Sequence, residues 1–470
     1  MDVSVVIPTQ SQRLVSGRHF RYCVIALLLG VVGYGLVLSR LAGGEDFVNS
    51  YPFIRADGFD WLYQGYVLYE RLRGQCAPVL WFLRDPGFIL VCALDAALQA
   101  AGLVVILAHT LSFAATGLAL LKAARLYVLP LIVVASVTAI FLLQPLNYVR
   151  LYVLADPLAV GLLTVSTYAM LHHLRTHSIK ALTLSAVLAL LGGMTQTYAA
   201  IPFIVGTAVS GVANARSRHS LRSLGVVFVG FAACLLVLKV AWRAAMPHEE
   251  LPIPFGSLQL SFDMVPFYAR VWSLAYVPLL PFAGTALLVW WRSGRRFHSE
   301  VLFLGVTVVL FAGLSVFYQW AEARFTFIYQ PLVLLLLMAL VSPAAVATAR
   351  TRRRWNLAAA GAVCSAVLVA GSVAVTPLTY YGPPTLTWRP RSSWILEAWF
   401  SRPVDRFELA RSSAANVYSQ ATMPDFDPYP GKIVAGYLAL RRRQQDRVLG
   451  VNGGELDAAA LEPGCRQALR

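Results

Sequence analysis

Two carboxylates stand three residues apart in the stretch Tyr51-Pro-Phe-Ile-Arg-Ala-Asp-Gly-Phe-Asp-Trp-Leu-Tyr-Gln-Gly65, which follows the first long apolar run of the chain. Asp57 and Asp60 could serve there as a general base, because a carboxylate within hydrogen-bond reach of a hydroxyl or amine can take its proton. Asp-Gly-Phe-Asp before an amphipathic run is also typical of a helix N-cap with an acid in the first turn. Glu45 and Asp46 form a second acidic pair in the same interval, where a solvated turn is the plainer interpretation.

Arginines that could hold a phosphate form a second set. Arg324, with Glu322 beside it, lies in the polar turn between two apolar runs late in the chain. An arginine in such a turn either extends to lipid headgroups or binds phosphate oxygens through two N–H groups at once. On the topology given below, three more arginines lie on the same face and could also bind the phosphate, namely Arg55, Arg84 and Arg150.

Other ionisable residues lie in or beside apolar runs. Asp156, which a proline follows, is typical of an ordinary helix N-cap, although it also places a carboxylate beside Arg150. Ionisable groups inside membrane segments are functional candidates by default, and this applies to Asp95, His109 and Lys239. Lys239 is close enough to the outer interface to extend its amine there, and Asp95 could face water on a re-entrant helix.

The composition indicates a membrane protein that crosses the bilayer many times. Of the 470 residues, 58% are hydrophobic and 13% are charged, whereas soluble domains carry about 25% charged residues. The net charge of +16 could suggest nucleic acid as a partner. The basic residues are concentrated in short turns between apolar runs, as the positive-inside rule requires, so we predict no nucleic-acid binding.

About eleven membrane spans are predicted, with every short basic turn on one side. They lie near 22–40, 103–121, 128–145, a fourth that ends at His172, 181–194, 197–213, 224–242, 273–291, 300–317, 325–346 and 356–376. The basic flank before the first span places the N-terminus in the cytoplasm. The two acidic pairs and the candidate arginines then lie on the extracytoplasmic side. Separately, the spacing of the six cysteines does not match that of metal ligands.

The predicted fold class is therefore an all-α polytopic membrane protein. Residues 1–21 form a cytoplasmic N-terminus, 22–376 the transmembrane domain with a first outer loop at 41–85, and 377–470 an extracytoplasmic tail or small domain. In the first outer loop, aromatic and apolar residues from Trp61 to Leu72 recur at helical spacing. This pattern favours a helix in the membrane interface with its aromatic side chains at headgroup level. A second interfacial or re-entrant helix is predicted over 86–101, with a break near Ala101-Gly102.

The order of these pieces resembles the GT-C superfamily of integral-membrane glycosyltransferases, whose bacterial members include relatives of the protein O-mannosyltransferases and the lipid A aminoarabinose transferases. Asp57-Gly-Phe-Asp-Trp61 is similar to the aspartate-containing first outer loop of that superfamily. Leu83-Arg-Asp-Pro-Gly-Phe-Ile-Leu90 is similar to its Arg-x-Pro-(Gly/Leu)-Tyr-Pro-Leu-Leu stretch. Ala155-Asp-Pro-Leu158, together with the segment from Arg324 through Tyr329 to Pro331, completes a series that covers most of residues 20–345.

The resemblance implies transfer of a sugar, with inversion, from a polyprenyl-phosphate-linked donor to a lipid, glycan or protein acceptor at the extracytoplasmic face of a bacterial inner membrane. It implies Asp57 as general base and Arg324 as ligand of the donor phosphate, with Asp60 and Arg84 in support. Many relatives have an adjacent Asp-Glu pair in this loop, whereas here the adjacent acids are Glu45 and Asp46 in the reverse order. The base is therefore left open between Asp57 and Asp46. Metal dependence varies within the superfamily, and a divalent cation stays open because the sequence contains no defined ligand set.

A transporter or flippase of lipid-linked sugars is the main alternative, followed by a polymerase of the same polysaccharides. A transporter would concentrate its polar groups at the bilayer midplane, often at broken helices. The charges here are gathered at the outer interface, which favours an enzyme that acts on a membrane-tethered donor. A polymerase would favour a large outer loop late in the chain, and the late loops are short.

Overall fold

The computed structural model describes fourteen stretches of the chain. They are residues 17–42, 56–75, 80, 83–100, 102–144, 147, 154–213, 218–246, 265–292, 298–317, 324–342, 349–372, 375–377 and 388–390. Helices α1 to α14 run in chain order over Gly17–Ala42, Ala56–Leu72, Pro86–Leu98, Leu103–Leu126, Leu131–Leu143, Asp156–Thr176, Ile179–Thr195, Ile201–Ala213, Arg218–Ala245, Val265–Tyr276, Leu280–Arg292, Ser299–Phe317, Arg324–Val341 and Ala349–Ser372. Two single 3₁₀ turns, Thr197–Ala200 and Val277–Leu279, lead into α8 and α11.

Each predicted span coincides with one of these helices or, near 273–291, with α10 and α11 together. Within the part of the chain that the structure describes, five helical segments are long and apolar enough to cross a bilayer: Leu103–Leu126, Ser220–Ala245, Val271–Arg292, Ser299–Phe317 and Arg354–Gly371. Shorter apolar helices account for most of the others. The protein is therefore an integral multi-pass membrane protein. The total of eleven spans and their orientation remain predictions.

Two strands interrupt the helical architecture after α14. β1 (Val375–Pro377) and β2 (Trp388–Pro390) pair antiparallel, with Thr376 opposite Arg389. The all-α prediction holds for the fold, and this short strand pair is a local feature at the start of the tail. The rest of residues 377–470 lies outside the described residues, so the prediction of a small domain there is untested.

The predicted break between the first two helices after the outer loop is confirmed. Helix α3 starts with Pro86 at its first position, which is compatible with a helix start because proline lacks an N–H that would be unsatisfied there. It ends at Gln99, whose φ of 51° is left-handed, and Gly102 with φ 93° precedes α4. The carboxylate of Asp95 accepts hydrogen bonds from the N–H groups of Gly102 (2.8 Å) and Val104 (3.0 Å). Asp95 therefore caps α4, and the expectation that it could face water is wrong.

The predicted interfacial helix in the first outer loop exists, but its aromatic side chains do not form an exposed belt. In α2 every residue from Asp60 to Leu68 is buried, with Trp61 1% exposed. The periodicity was a correct indicator of the helix. The predicted location of its aromatic side chains at headgroup level was wrong, because the apolar and aromatic side chains of α2 pack against α3 and other helices.

Gly65 is the point of closest approach between α2 and α3. A Cβ placed there would overlap the Cβ of Cys92 and lie 2.8 Å from the carbonyl carbon of that residue. We expect Gly65→Ala to force the two helices apart and to cost about 1–3 kcal/mol, as overpacking does elsewhere. Thermal unfolding in detergent would measure this loss. Gly33→Ala on α1 is the matched control, because no atom lies within 4 Å of the added Cβ; equal losses in both variants would contradict the close packing.

Contacts between basic turns support part of the predicted sidedness. The Arg125 guanidinium at the end of α4 lies 5.4 Å from the ring of Phe20 near the start of α1. Arg175 at the end of α6 donates to the carbonyl of Leu126 (2.8 Å). The turn after α4, the end of α6 and the start of α1 therefore meet at one end of the bundle, opposite the end at which α2, α3 and α6 begin.

Candidate active site

A buried ion pair lies where the first outer loop meets α3. The Nε–H of Arg84 donates to Oδ2 of Asp60, whose side chain is 4% exposed, against 23% for Arg84. Gln64, one helical turn after Asp60 on α2, donates from Nε2 to Oδ1 of Asp60 (3.0 Å). The Oε1 atom of Gln64 accepts the backbone N–H of Arg84 (3.1 Å). Asp60 and Gln64 thus hold both the side chain and the backbone of Arg84.

A series of aromatic rings packs against this ion pair. The Arg84 guanidinium lies 5.1 Å from the centroid of the Trp61 ring, a cation–π distance. Trp61 packs edge-on against Phe88 with centroids 5.5 Å apart, and Phe88 stacks on His109 at 5.7 Å. His109 also contacts the carbonyl of Leu154 through Nε2 (3.0 Å). These contacts give His109 a structural role in joining α3, α4 and the segment before α6.

A second polar cluster begins at the next residue of the chain. Asp85 forms an ion pair with Lys239 of α9, with Nζ 2.9 Å from Oδ1. Oδ2 of Asp85 accepts from the hydroxyl of Thr197 (3.0 Å) and from its backbone N–H (3.2 Å). Lys239 also donates to the Thr197 hydroxyl. The lysine amine is therefore bound to a carboxylate and a hydroxyl of the protein, while 27% of the side chain stays exposed.

A third cluster follows directly from Thr197. The hydroxyl of Tyr198 donates to Oδ1 of Asp156 (2.5 Å), which is 2% exposed. Asp156 is the first residue of α6, and Ala155 occupies the N-cap position without a side-chain hydrogen bond. The predicted N-cap role is therefore wrong by one position. The carboxylate lies in the first turn, where the helix dipole favours a negative charge, and it fixes the tyrosine.

Two aromatic contacts, one edge-on and one stacked, connect Tyr198 to α13. The Tyr198 and Phe311 centroids are 6.2 Å apart, and Phe311 stacks on Tyr329 at 6.2 Å. The indole N–H of Trp272 donates to the Tyr329 hydroxyl (2.5 Å). Tyr329 is 1% exposed and lies five positions after Arg324, the first residue of α13. A continuous set of contacts therefore links the Asp60–Arg84 pair to the helix that begins with Arg324.

The predicted site residues fall into three groups. Side chains are described, and joined by the contacts above, for Asp60, Arg84, Asp156 and Tyr329. Backbone positions alone are described for Asp57, the second residue of α2, and Arg324. Four predicted residues lie outside the described residues: Asp46, Arg55, Arg150 and Glu322. Because α2 begins at Ala56, Asp57 lies inside the first turn and not before it as a cap.

The sequence did not reveal most of the residues that contact the Asp60–Arg84 pair and its neighbours. Three of them, Gln64, Thr197 and Tyr198, were not singled out, nor was Trp242, whose indole N–H donates to the Arg84 carbonyl. Asp85 appeared only within the stretch from Leu83 to Leu90. The signal for the Asp85–Lys239 pair was a lysine near the end of an apolar run, because such a residue usually needs an acidic partner. The sequence alone could not say which acid, since the two residues are 154 positions apart.

The electrostatics of the site also constrain Tyr63 on α2. Burial, and secondarily the negative charge of Asp60, raises the pKa of Tyr63 well above its ordinary value. The phenol therefore stays protonated at physiological pH and cannot act as a base. Among the described residues, no group of three or more His, Cys, Asp or Glu side chains could hold a metal ion.

The arrangement is suited to holding an anion beside a nucleophile. A guanidinium forms strong charge-assisted hydrogen bonds to phosphate oxygens, and the Arg84 side chain is 23% exposed. Asp60 and Trp61 fix the plane of the Arg84 guanidinium, which lowers the entropy lost when a ligand binds. Asp57 lies three residues before Asp60 on α2, close to the same face of the helix.

These observations define a multi-pass helical membrane protein with a buried polar site at one end of the bundle. No protein-family model and no curated protein matches the chain. The chain is similar to a crystal structure of ArnT from Cupriavidus metallidurans bound to undecaprenyl phosphate, with 14% identity, a TM-score of 0.45, and coverage of 89% of this chain and 77% of that one.

The apo structure of the same ArnT is similar to a comparable degree, with 14% identity, a TM-score of 0.46, and coverage of 91% of this chain and 77% of that one. ArnT is a lipid A aminoarabinose transferase, one of the groups that the sequence resemblance names. At these values neither similarity assigns an activity or a ligand to this chain.

Proposed function

We propose that the protein is a membrane glycosyltransferase that moves a sugar from a polyprenyl-phosphate-linked donor to an acceptor at the extracytoplasmic face. The observation that carries the proposal is the Asp60–Arg84 ion pair. It orients a partly exposed guanidinium at the end of the bundle where Asp57 and Arg324 also lie on their helices. The motif resemblance, which implies Asp57 as the base and Arg324 as the phosphate ligand with Asp60 and Arg84 in support, supports the same conclusion.

In the proposed reaction the carboxylate of Asp57 takes the proton of an acceptor hydroxyl or amine as that atom attacks the anomeric carbon. The bond between the anomeric carbon and the phosphate oxygen breaks, and polyprenyl phosphate leaves with the electron pair. Arg84 and Arg324 stabilise the negative charge that develops on the phosphate, because charge-assisted hydrogen bonds strengthen as the charge grows. Direct displacement inverts the configuration at the anomeric carbon.

The location of the charges favours this enzyme over a transporter. The three polar clusters lie at helix ends: the starts of α2, α3 and α6, and the last turns of α9. Binding sites of secondary transporters lie near the bilayer midplane. A site at the end of the bundle is accessible to a phosphate headgroup while its polyprenyl chain stays in the membrane. We further propose a bacterial inner membrane, with a cytoplasmic N-terminus.

Arg324→Ala is expected to weaken use of the donor far more than use of the acceptor. The physical reason is the loss of a guanidinium beside the phosphate, so the donor KM should rise by about 10- to 100-fold, as for other charged hydrogen bonds. Steady-state kinetics with each substrate varied in turn would measure this. Arg243→Ala, which removes an exposed arginine from the end of α9, is the matched control. Equal rises in both Michaelis constants for Arg324→Ala would indicate a structural role for this residue.

A further inference from the structure

Helix α9 packs against α7 and α8, and its polar end contacts the first outer loop. In its most apolar stretch 11% of the residues are buried, against 50% in α4. Its last turns contact the first outer loop through three residues that are spaced three apart and lie on one side of the helix. Lys239 pairs with Asp85, the Trp242 indole N–H donates to the Arg84 carbonyl (2.9 Å), and the Ala245 carbonyl accepts from Arg71 (2.8 Å).

The dipeptide Arg84-Asp85 is thereby held from both sides. On one side Gln64 accepts the Arg84 N–H and Asp60 accepts its Nε–H. On the other side α9 supplies a donor to the Arg84 carbonyl and a cation to Asp85. The peptide unit that carries the guanidinium therefore cannot rotate without breaking hydrogen bonds to two helices.

The charges of the Arg84-Asp85 dipeptide and of its two partners alternate in sign, which fixes the register of the dipeptide. Asp60 pairs with Arg84, and Asp85 pairs with Lys239, so each charge of the dipeptide has an opposite partner from a different helix. A shift of one residue along the chain would place like charges together, because Asp85 would meet Asp60 or Arg84 would meet Lys239. Thr197 adds two hydrogen bonds to Asp85, so this carboxylate is held from α9 and from the turn before α8.

We propose that Lys239 and Trp242 are positioning residues, which hold the Arg84-Asp85 dipeptide so that the Arg84 guanidinium contacts the donor phosphate. This inference rests on the proposed function. It assigns a role in donor binding to α9, whose Lys239 the sequence offered as a functional candidate only because it is an ionisable residue in an apolar run. Lys239 and Trp242 act through Arg84 and do not touch the reacting atoms.

Lys239→Met keeps the length of the side chain and removes the charge. The donor KM is expected to rise about tenfold and kcat to fall by about 3- to 10-fold, with the acceptor KM unchanged, because only the placement of a ligand of the donor phosphate is altered. Lys239→Arg restores the ion pair with Asp85 and should return the donor KM to within about threefold of the wild type. Trp242→Phe retains an aromatic ring without the N–H donor and should raise the donor KM by about 3- to 10-fold.

The control and the coupling test separate positioning from general stability. Arg243→Met, which removes an exposed cation one position after Trp242, should leave both Michaelis constants unchanged. In an Arg84→Ala background, Lys239→Met should have no further effect on the donor KM, because its effect passes through the missing guanidinium. An equal effect in both backgrounds would overturn the proposal, as would a parallel loss of kcat and of affinity for both substrates.

Binding of a polyprenyl phosphate to the purified proteins distinguishes failure of the positioning role from failure of the proposed function. If the wild type binds the lipid phosphate and Lys239→Met binds it equally well, the positioning role is wrong and the proposed function stands. If the wild type neither binds the lipid phosphate nor uses the linked donor, the proposed function is wrong and this inference fails with it. Weaker binding by Lys239→Met, with recovery in Lys239→Arg, supports both.

Discussion

Asp57→Asn is expected to abolish sugar transfer while the protein remains folded in the membrane. An amide has the size of the carboxylate but cannot accept a proton from the acceptor, and loss of a general base costs about 10²- to 10⁴-fold in rate. The first turn of α2 tolerates asparagine, because both residues are favourable near a helix start. The measurement is single-turnover transfer from a labelled polyprenyl-phosphate sugar, with detergent-extracted yield and thermal unfolding as the test of folding.

Asp46→Asn is the matched control, because Asp46 is the other acid that the sequence leaves open as the base. If Asp57 is the base, the Asp46 variant should retain transfer within about threefold of the wild type. The opposite result, with transfer lost in Asp46→Asn and kept in Asp57→Asn, would reassign the base and leave Asp57 as a residue of the first helical turn. Full activity in both variants would contradict the assignment of a general base to this loop.

Arg84→Met is expected to produce the largest loss of stability among the site variants. It leaves the buried carboxylate of Asp60 with Gln64 and without its cation. Breaking a buried pair by removing one partner costs about 3–5 kcal/mol, and we expect the lower part of this range because Arg84 is 23% exposed. Thermal or denaturant unfolding in detergent would measure the loss. Arg73→Met, at an exposed arginine just after α2, is the control.

The double variant Asp60→Asn with Arg84→Gln separates stability from function. Two neutral amides can satisfy each other, and no uncompensated charge remains, so most of the stability lost in Arg84→Met should return. Donor affinity should not return, because the guanidinium is still missing. Recovery of stability and of transfer together would show that the ion pair only supports the fold, and that the phosphate is bound elsewhere.

The helices were predictable from the sequence because apolar length and helical spacing report directly on them. The break at residues 99–102 is an example: Gly102 takes a left-handed conformation that most residues avoid, and the composition changes at that point. The surroundings of α2 were not predictable in the same way. Spacing shows that Leu62 and Tyr66 lie on one face, but a bilayer interface and the packed surface of α3 favour the same residue types.

The candidate site was predictable for residues that occur in local motifs and not for their partners. Asp60 and Arg84 lie 24 positions apart within two recognisable stretches. Lys239 and Trp242 come from a helix more than 150 positions later, so their contact with Arg84-Asp85 follows from how the helices pack. Asp156 illustrates a different difficulty: an aspartate before a proline is a common helix start, and its bond to Tyr198 has no local sequence signal.

Product analysis with the wild-type protein in lipid vesicles tests the central claim most directly. The vesicles would carry a polyprenyl-phosphate-linked sugar labelled in both the sugar and the lipid, together with a candidate acceptor. We predict that free polyprenyl phosphate appears in proportion to glycosylated acceptor, with inverted configuration at the anomeric carbon. Movement of the intact lipid-linked sugar between leaflets without cleavage of the bond to phosphate would contradict the account and identify the protein as a transporter.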